Sequence, residues 1–230
     1  MRMIKVKKRI GNFQLSIEDF TIEKRRIHGI IGANGCGKST LLKLLSGILD
    51  VDSGGIDYGG LTSRDITITT QRPYLINDSV YENLIYPLKI RKRSIPKSEI
   101  DDWLEKFGLA GKEKQFARSL SSGERQKLSF ARALIFKPKV VLIDETMANL
   151  DLDSVALLSQ TIENIQEKEP ITWVIVSHQL AHIYNMCEQV HFMADGSILA
   201  GGTREEIFSR NDNPIIRRYL SSYMIGNESG

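Results

Sequence analysis

The stretch Gly32-Ala33-Asn34-Gly35-Cys36-Gly37-Lys38-Ser39-Thr40 gathers glycines, a lysine and two hydroxyls in the order G-x-x-x-x-G-K-[ST]. Glycines there let backbone N–H groups curl around phosphate oxygens that a Cβ would crowd. A helix starting near Lys38 adds the positive end of its dipole. In such a cradle Lys38 reaches the β- and γ-phosphates of a nucleotide, Ser39 offers an oxygen to Mg2+, and Thr40 is placed to contact the α-phosphate. The spacing alone says nucleotide hydrolase or kinase, against the blander reading of a chance glycine-rich turn.

Val140-Val141-Leu142-Ile143-Asp144-Glu145 is an apolar run closed by two acids. Carboxylates at the C-terminal edge of a buried strand stand where α/β folds bind ligands. Asp144 would hold Mg2+ through its water shell. Glu145 would orient or deprotonate an attacking water. Taken alone, the pair could equally be a solvated cap on the next turn. Beside a phosphate loop the catalytic reading wins.

These residues need strands and helices to hold them. Residues 3–9 and 13–22 read as strands, and Ile27 to Ile31 as a short buried strand running into the glycine loop. Leu41, Leu42, Leu44, Leu45 and Ile48 give Ser39 to Leu49 helical spacing. Residues 65–70 alternate, with Gln71 at the strand end. From Ser79 to Phe136 the pattern is helical: Lys97 to Phe107 is a helix between Pro96 and Gly108, and Ser122 to Ile135 is another. Val140–Ile143 and Ile171–Val176 are continuous apolar runs, as in parallel strands covered on both faces, with a helix between them over Leu152 to Glu167. Residues 186–201 read as a hairpin turning at Asp195-Gly196, and Thr203 with Glu206 as a capping box opening a terminal helix.

The expected fold class is α/β: a phosphate-loop core with a parallel sheet, an N-terminal antiparallel β-subdomain and an inserted α-helical subdomain. The boundaries are one domain over 1–225, with a core lobe of 1–75 and 138–225, a helical lobe of 76–137, and a flexible tail of 226–230.

Composition narrows the class. Lys plus Arg is 31 and Asp plus Glu 28 over 230 residues, too balanced to argue for nucleic acid. Cys36 and Cys187 are scattered, which suits a reducing compartment and no disulfide framework. No apolar run reaches bilayer length, and the alternating start Met1 to Arg9 reads as a strand rather than a signal peptide. The expected location is the cytosol.

Leu120-Ser121-Ser122-Gly123-Glu124-Arg125-Gln126-Lys127 resembles the LSGGQ signature of ATP-binding cassette proteins, and Ala131-Arg132-Ala133-Leu134 after it is similar to theirs. The order of phosphate loop, Gln71, signature, Asp144-Glu145, Ala148-Asn149-Leu150-Asp151 and His178 also resembles that family. The resemblance implies a two-lobed ATPase working as a head-to-tail homodimer on MgATP. Ser121 and the N–H of Gly123, at a helix N-terminus, would then face the γ-phosphate held by the other copy. Gln71 would contact Mg2+ or the water, His178 would hold the γ-phosphate and the attacking water, and Asp151 would organise the dimer contact. In isolation Gln71 and His178 would read as structural or surface residues, and Asp151 as a helix N-cap.

The sequence departs from the family pattern at several points. Ser122 replaces a glycine, Glu124 a glutamine and Thr146 a proline, and Arg25 occupies a turn position often held by glycine. Phe13 is the candidate to stack on adenine, and equally a candidate for the core. Cys36 is a small filler, with a thiol expected to be acidified by Lys38 and the helix start.

The chain carries a motor and no cargo site, so the resemblance implies separate membrane permease subunits, with a solute-binding protein beyond them. The permease would dock near Arg72 to Leu84, where Tyr74, Leu75, Ile76 and Tyr81 could pack against a helix or fill the lobe. The chain would then lie on the cytoplasmic face of the cell membrane. Tyr81 to Arg91 resembles importer ATPases for small solutes, and Gly11-Asn12-Phe13-Gln14-Leu15 is similar to tungstate- and molybdate-type importers. The alternatives are an exporter ATPase, a soluble member serving iron–sulfur assembly, and an unrelated kinase that could not explain Leu120 to Glu124. Lys89, Arg91, Lys92, Arg93 and Lys97 form a basic cluster, facing lipid headgroups or only water.

Overall fold

Alternating apolar and charged residues start the fold. β1 (Arg2–Ile10) and β2 (Phe13–Thr21) pair antiparallel from Ile10↔Phe13 to Arg2↔Thr21. Met3, Val6, Leu15, Ile17 and Phe20 are buried along this ribbon. The structure, a computed structural model, describes residues 1–147, 150–209 and 212–225. β3 (Ile27–Ile31) is buried throughout and leads through the glycine loop to α1 (Lys38–Leu45). β4 (Ser53–Asp57) then pairs with the free edge of β1, with a register shift between Ile4 and Lys7.

β5 (Ile66–Thr70) is followed by α2 (Val80–Ile90), α3 (Lys97–Lys106), a single 3-10 turn at Ala117–Ser119 and α4 (Ser122–Leu134). The chain returns through β6 (Val140–Asp144), α5 (Leu152–Lys168), β7 (Thr172–Val176) and α6 (Leu180–Met186). It ends in β8 (Gln189–Ala194), β9 (Ser197–Thr203), α7 (Arg204–Phe208) and α8 (Pro214–Ile225).

Two sheets result. The small one has the order β2-β1-β4 and is antiparallel; the large one has the order β5-β6-β7-β3-β8-β9. In the large sheet only the β8–β9 pair is antiparallel. Its central strands alternate between two apolar clusters. Val141, Ile143, Trp173 and Ile175 join the helices α2 to α5, whereas Val140, Leu142, Val174 and Val176 join α1 and the small sheet. Covering on both faces is why these strands read as unbroken apolar runs.

Three expectations change. The stretch from Ser79 to Phe136 contains a loop and a 3-10 turn between α3 and α4. The terminal helix is two helices: α7 stops at Ser209, and Pro214 opens α8, where its fixed φ is an asset. β4 and α6 were not anticipated from sequence. β4 carries Gly54-Gly55 in five residues, and α6 buries only Ile183. The expected tail, 226–230, lies outside the described residues.

Candidate functional site

The parallel sheet gathers the site at one edge. Thr70 pairs with Asp144 and Asp144 with Val176, so Gln71, Glu145 and His178 leave neighbouring strands together. β3 ends at Ile31, immediately before Gly32.

The glycine loop is tightly enclosed. A Cβ on Gly32 would stand 2.0 Å from the Met193 carbonyl oxygen, and one on Gly37 2.7 Å from Phe13 Cζ. Both glycines also have positive φ, 149° and 109°. Phe13 thus packs against the start of α1, beside the loop. Lys38 is 5% exposed, and its Nζ donates to the carbonyl oxygens of Gly32 at 2.8 Å and Ala33 at 2.9 Å. Two later segments hold the loop from outside. Gly196 N–H donates to Cys36 O at 3.0 Å, and Tyr219 Oη donates to Gly32 O at 3.2 Å.

Cys36 corrects an expectation. Its thiol is pushed up from the ordinary value, not down, because burial outweighs the pull of Lys38. The nearby cation favours the thiolate, but the loop is covered deeply enough to outweigh it.

Across the loop, Ser39 Oγ donates to Asp144 Oδ1 at 2.9 Å. Burial raises the Asp144 pKa, the Ser39 hydrogen bond offsets part of this, and the neighbouring Glu145 charge raises it further. His178 Nε2 and Glu145 Oε1 are 2.6 Å apart. Glu145 itself has φ 52°, left-handed for a residue with a side chain, and its N–H donates to Val176 O at 3.1 Å. Strain of this kind collects where geometry serves function.

Gln71 is exposed. The residue that ties its strand to the helices is Gln126, buried on α4, whose Nε2 donates to Thr70 O at 3.2 Å and Thr146 O at 2.8 Å. Sequence reading passed over Gln126, although a polar residue in the stripe with Phe130 and Ala133 is the signal for it. Thr146 gains a reason here: its hydroxyl meets Thr69 Oγ1 at 2.6 Å in the core, a bond proline could not make.

Ser121 is the N-cap of α4, and with Glu124 it forms a reciprocal capping box. Glu124 also bonds Lys112, which together with the box holds its carboxyl down at about 2. Among the described residues, no hydrogen bond joins Ser121 or Gly123 to the glycine loop. Asp151 caps α5 through Ser154 N–H at 2.7 Å, and its Oδ2 would lie 3.7 Å from a Cβ on Gly123. Ala148 and Asn149, next to it, lie outside the described residues.

Tyr74 is 77% exposed, whereas Leu75 is core and Tyr81 packs against the core. The loop under Tyr74 is rigidly held. Asn83 is fully buried and spans Ile76, Asp78 and Ser79, and Arg132 donates to Tyr74 O. A cavity of about 330 Å³ opens there, lined by Pro73, Tyr74, Leu75, Arg118 and Arg125. In the basic cluster, Arg91 and Arg93 are spent on carbonyl oxygens of Arg64, Pro87 and Phe136, and Lys89 on Glu82. Among the described residues, no helix is long and apolar enough to cross a membrane.

Comparison with known proteins gives the family and the fold. Residues 15–148 match the ABC transporter family. The tungstate uptake system ATP-binding protein TupC of Peptoclostridium acidaminophilum is 35% identical, over 82% of this chain and 91% of that protein. Two methionine import ATP-binding proteins of Staphylococcus epidermidis, MetN 1 and MetN 2, are 31% identical over 88% of this chain, which spans 64% of their length. A solved ATP-binding subunit of an ABC transporter superposes with a TM-score of 0.80 at 22% identity, covering 91% of this chain and 92% of that one, which establishes likeness of fold.

Proposed function

The chain belongs to the ABC transporter family, among its ATP-hydrolysing proteins, and from that premise we propose that it is the motor subunit of an importer. The observation that carries the reading is the meeting of Ser39 with Asp144 and of Glu145 with His178 at one sheet edge beside the glycine loop.

ATP would lie along Gly32 to Thr40, with loop N–H groups and Lys38 on its phosphates. Ser39 Oγ and Asp144 Oδ1 are hard oxygen donors close together, which suits Mg2+. Among the described residues no cluster of three His, Cys, Asp or Glu offers a cage. That fits an ion held jointly with phosphate oxygens and water. When bound, the ion would neutralise charge on the transferring phosphoryl group. Glu145 orients or deprotonates the water, His178 holds the carboxylate in position, and Gln71 reports on the site from the next strand.

Ser121 and Gly123 stand at the N-terminal tip of α4, where N–H groups can meet a phosphate held by a second copy in a head-to-tail dimer. The exposed Tyr74 over its braced loop is the proposed seat for a permease helix, which would place the chain peripherally at the membrane. Likeness to the tungstate uptake protein supports an oxyanion cargo, with a solute-binding protein upstream; likeness to the methionine proteins makes an amino acid the rival. The proposed lobes are 1–75 with 138–225, and 76–137.

The test is Glu145→Gln. It should keep ATP binding, accumulate an ATP-bound dimer and lose turnover by at least about a hundredfold, near 2.7 kcal/mol of barrier. Unchanged turnover removes Glu145 from catalysis. In cells relying on this variant, tungstate accumulation should fall while methionine uptake holds; the reverse assigns the amino acid.

A further inference from the structure

A cavity of about 700 Å³ lies at the other end of the sheet, in the range of small-molecule sites. Lys139 and Val140 open β6 and Thr172 opens β7, so the cavity faces the N-terminal ends of strands whose C-terminal ends carry Asp144 and His178. A five-residue strand spans roughly 16 Å, so nothing in this cavity can share phosphates with the glycine loop. Its walls come from both parts of the molecule: Trp103 and Lys106 on α3 face Ile165 and Lys168 at the end of α5 and the turns at Arg25 and Leu61.

The lining is strongly basic. Lys24, Arg25, Lys106, Lys137, Lys139 and Lys168 contribute cations against one acid, Glu169. Lys137 and Lys139 have carboxylate partners in Glu99 and Asp65. Lys24, Arg25, Lys106 and Lys168 have none among the described residues. A lysine in a helix's last turn is ordinary dipole matching, and that accounts for Lys106 and Lys168 one at a time. It does not account for two helices delivering them to one wall, where burial, and then Lys168, depress the Lys106 pKa.

Arg25 is the second observation. It has φ 60°, a conformation glycine adopts without cost, and the turn is pinned there: Arg25 N–H donates to Thr172 Oγ1 at 3.0 Å, and Gln166 Nε2 donates to Arg25 O at 2.8 Å. A strained arginine held over a basic cavity points to a use for its charge. Trp103, Leu61, Ile165 and Ile171 add apolar wall for a ligand's body.

We propose that this cavity is a second ligand site, which takes a small organic polyanion with an aromatic or apolar body and clustered phosphate or sulfonate groups. Bound there it bridges α3 to the core, and so sets how freely the helices move against the sheet. The proposal does not depend on the transport reading.

The probes are 1-anilinonaphthalene-8-sulfonate, read by energy transfer from Trp103, and inorganic tripolyphosphate as competitor. Trp173, the other tryptophan, is buried but close enough to transfer as well, so Trp103→Phe measures its share and the Trp103 signal is the difference. Expected is saturable transfer from Trp103 that tripolyphosphate displaces and that survives Lys38→Ala. The triple variant Arg25→Gly, Lys106→Gln, Lys168→Gln, checked for an unchanged melting transition, should weaken it at least about tenfold, or 1.4 kcal/mol. Should the triple variant melt early, Lys168→Glu alone is read instead, with the same expected loss. Transfer lost in Lys38→Ala but kept in the triple variant overturns the proposal. So does binding seen only with phosphatidylglycerol vesicles and not with soluble probes, which would make the patch a membrane surface.

Discussion

At the scale of single residues, two departures from the family pattern, Thr146 and Glu124, have local partners. Thr146 stands where proline is usual, and its hydroxyl bonds Thr69 in a site with no exposure. A buried hydroxyl that loses its partner keeps its desolvation cost, whereas two hydroxyls removed together leave nothing unpaired. Thr146→Val should therefore lower stability by about 1–2 kcal/mol. The double variant Thr69→Val, Thr146→Val should recover most of that in urea unfolding. Additive losses in the double variant would mean that the bond does not matter. Cys36 makes the complementary point. A cation and a helix start suggested an acidified thiol, and burial reversed the sign.

At the scale of elements, α4 shows how a helix start is built and then put to use. Ser121 and Glu124 cap each other, and Lys112 fixes Glu124 from outside the helix. Glutamine, the family's usual residue here, can complete a capping box as well. Glu124→Gln should then change stability by less than about 1 kcal/mol, and Glu124→Ala should cost roughly 1 kcal/mol. The pH dependence gives the sign. The Glu124 carboxyl lies at about 2 in the fold against an ordinary 4.5. Its stabilisation is present above 4.5 and lost as pH falls toward 2, so the gap between wild type and Glu124→Ala should close in that window. Denaturant midpoints from pH 7 to pH 3 would reveal it; a constant gap would exclude the mechanism. The elements that were legible in sequence were those with period or punctuation: β3 before its glycines, α3 between Pro96 and Gly108, β6 before its acids. β4 was not, because Gly54-Gly55 breaks the strand pattern and its pairing with β1 is long-range. Asp144 and Glu145 drew notice as acids closing an apolar run, whereas Gln71 and His178 were singled out by the family resemblance alone. Tyr219 bonding Gly32 was not legible, since a contact between α8 and the loop leaves no local pattern.

At the scale of the whole molecule, a buried histidine pair on neighbouring strands of the large sheet, which sequence did not single out, meets the small sheet. His28 on β3 and His191 on β8 stack, with Nδ1 and Nε2 3.1 Å apart. Phe20 from the small sheet meets His191 edge-on at 4.9 Å. The tautomers follow from the carbonyl: His28 Nε2 must donate to Glu23 O, 3.0 Å away, so its Nδ1 accepts from His191 Nε2–H. A proton on His28 Nδ1 would break this chain, and one on His191 Nδ1 would place a charge in a dry site. Burial first, and then the facing His28, push His191 down to about 3, and burial lowers His28 as well. The unfolded chain titrates these rings near the ordinary 6.5. Their contribution is thus complete above 6.5 and erodes as pH falls from there toward 3. At about 1.4 kcal/mol per pH unit, His191 alone should cost wild type roughly 2 kcal/mol between pH 7 and pH 5, and His28 acts in the same direction. His191→Gln keeps an amide donor toward His28 and removes one titration, so it should lose no more than about half as much over the same interval. Urea midpoints at the two pH values decide it. An equal loss in the variant would place the acid sensitivity elsewhere and leave the pair as simple packing against the small sheet.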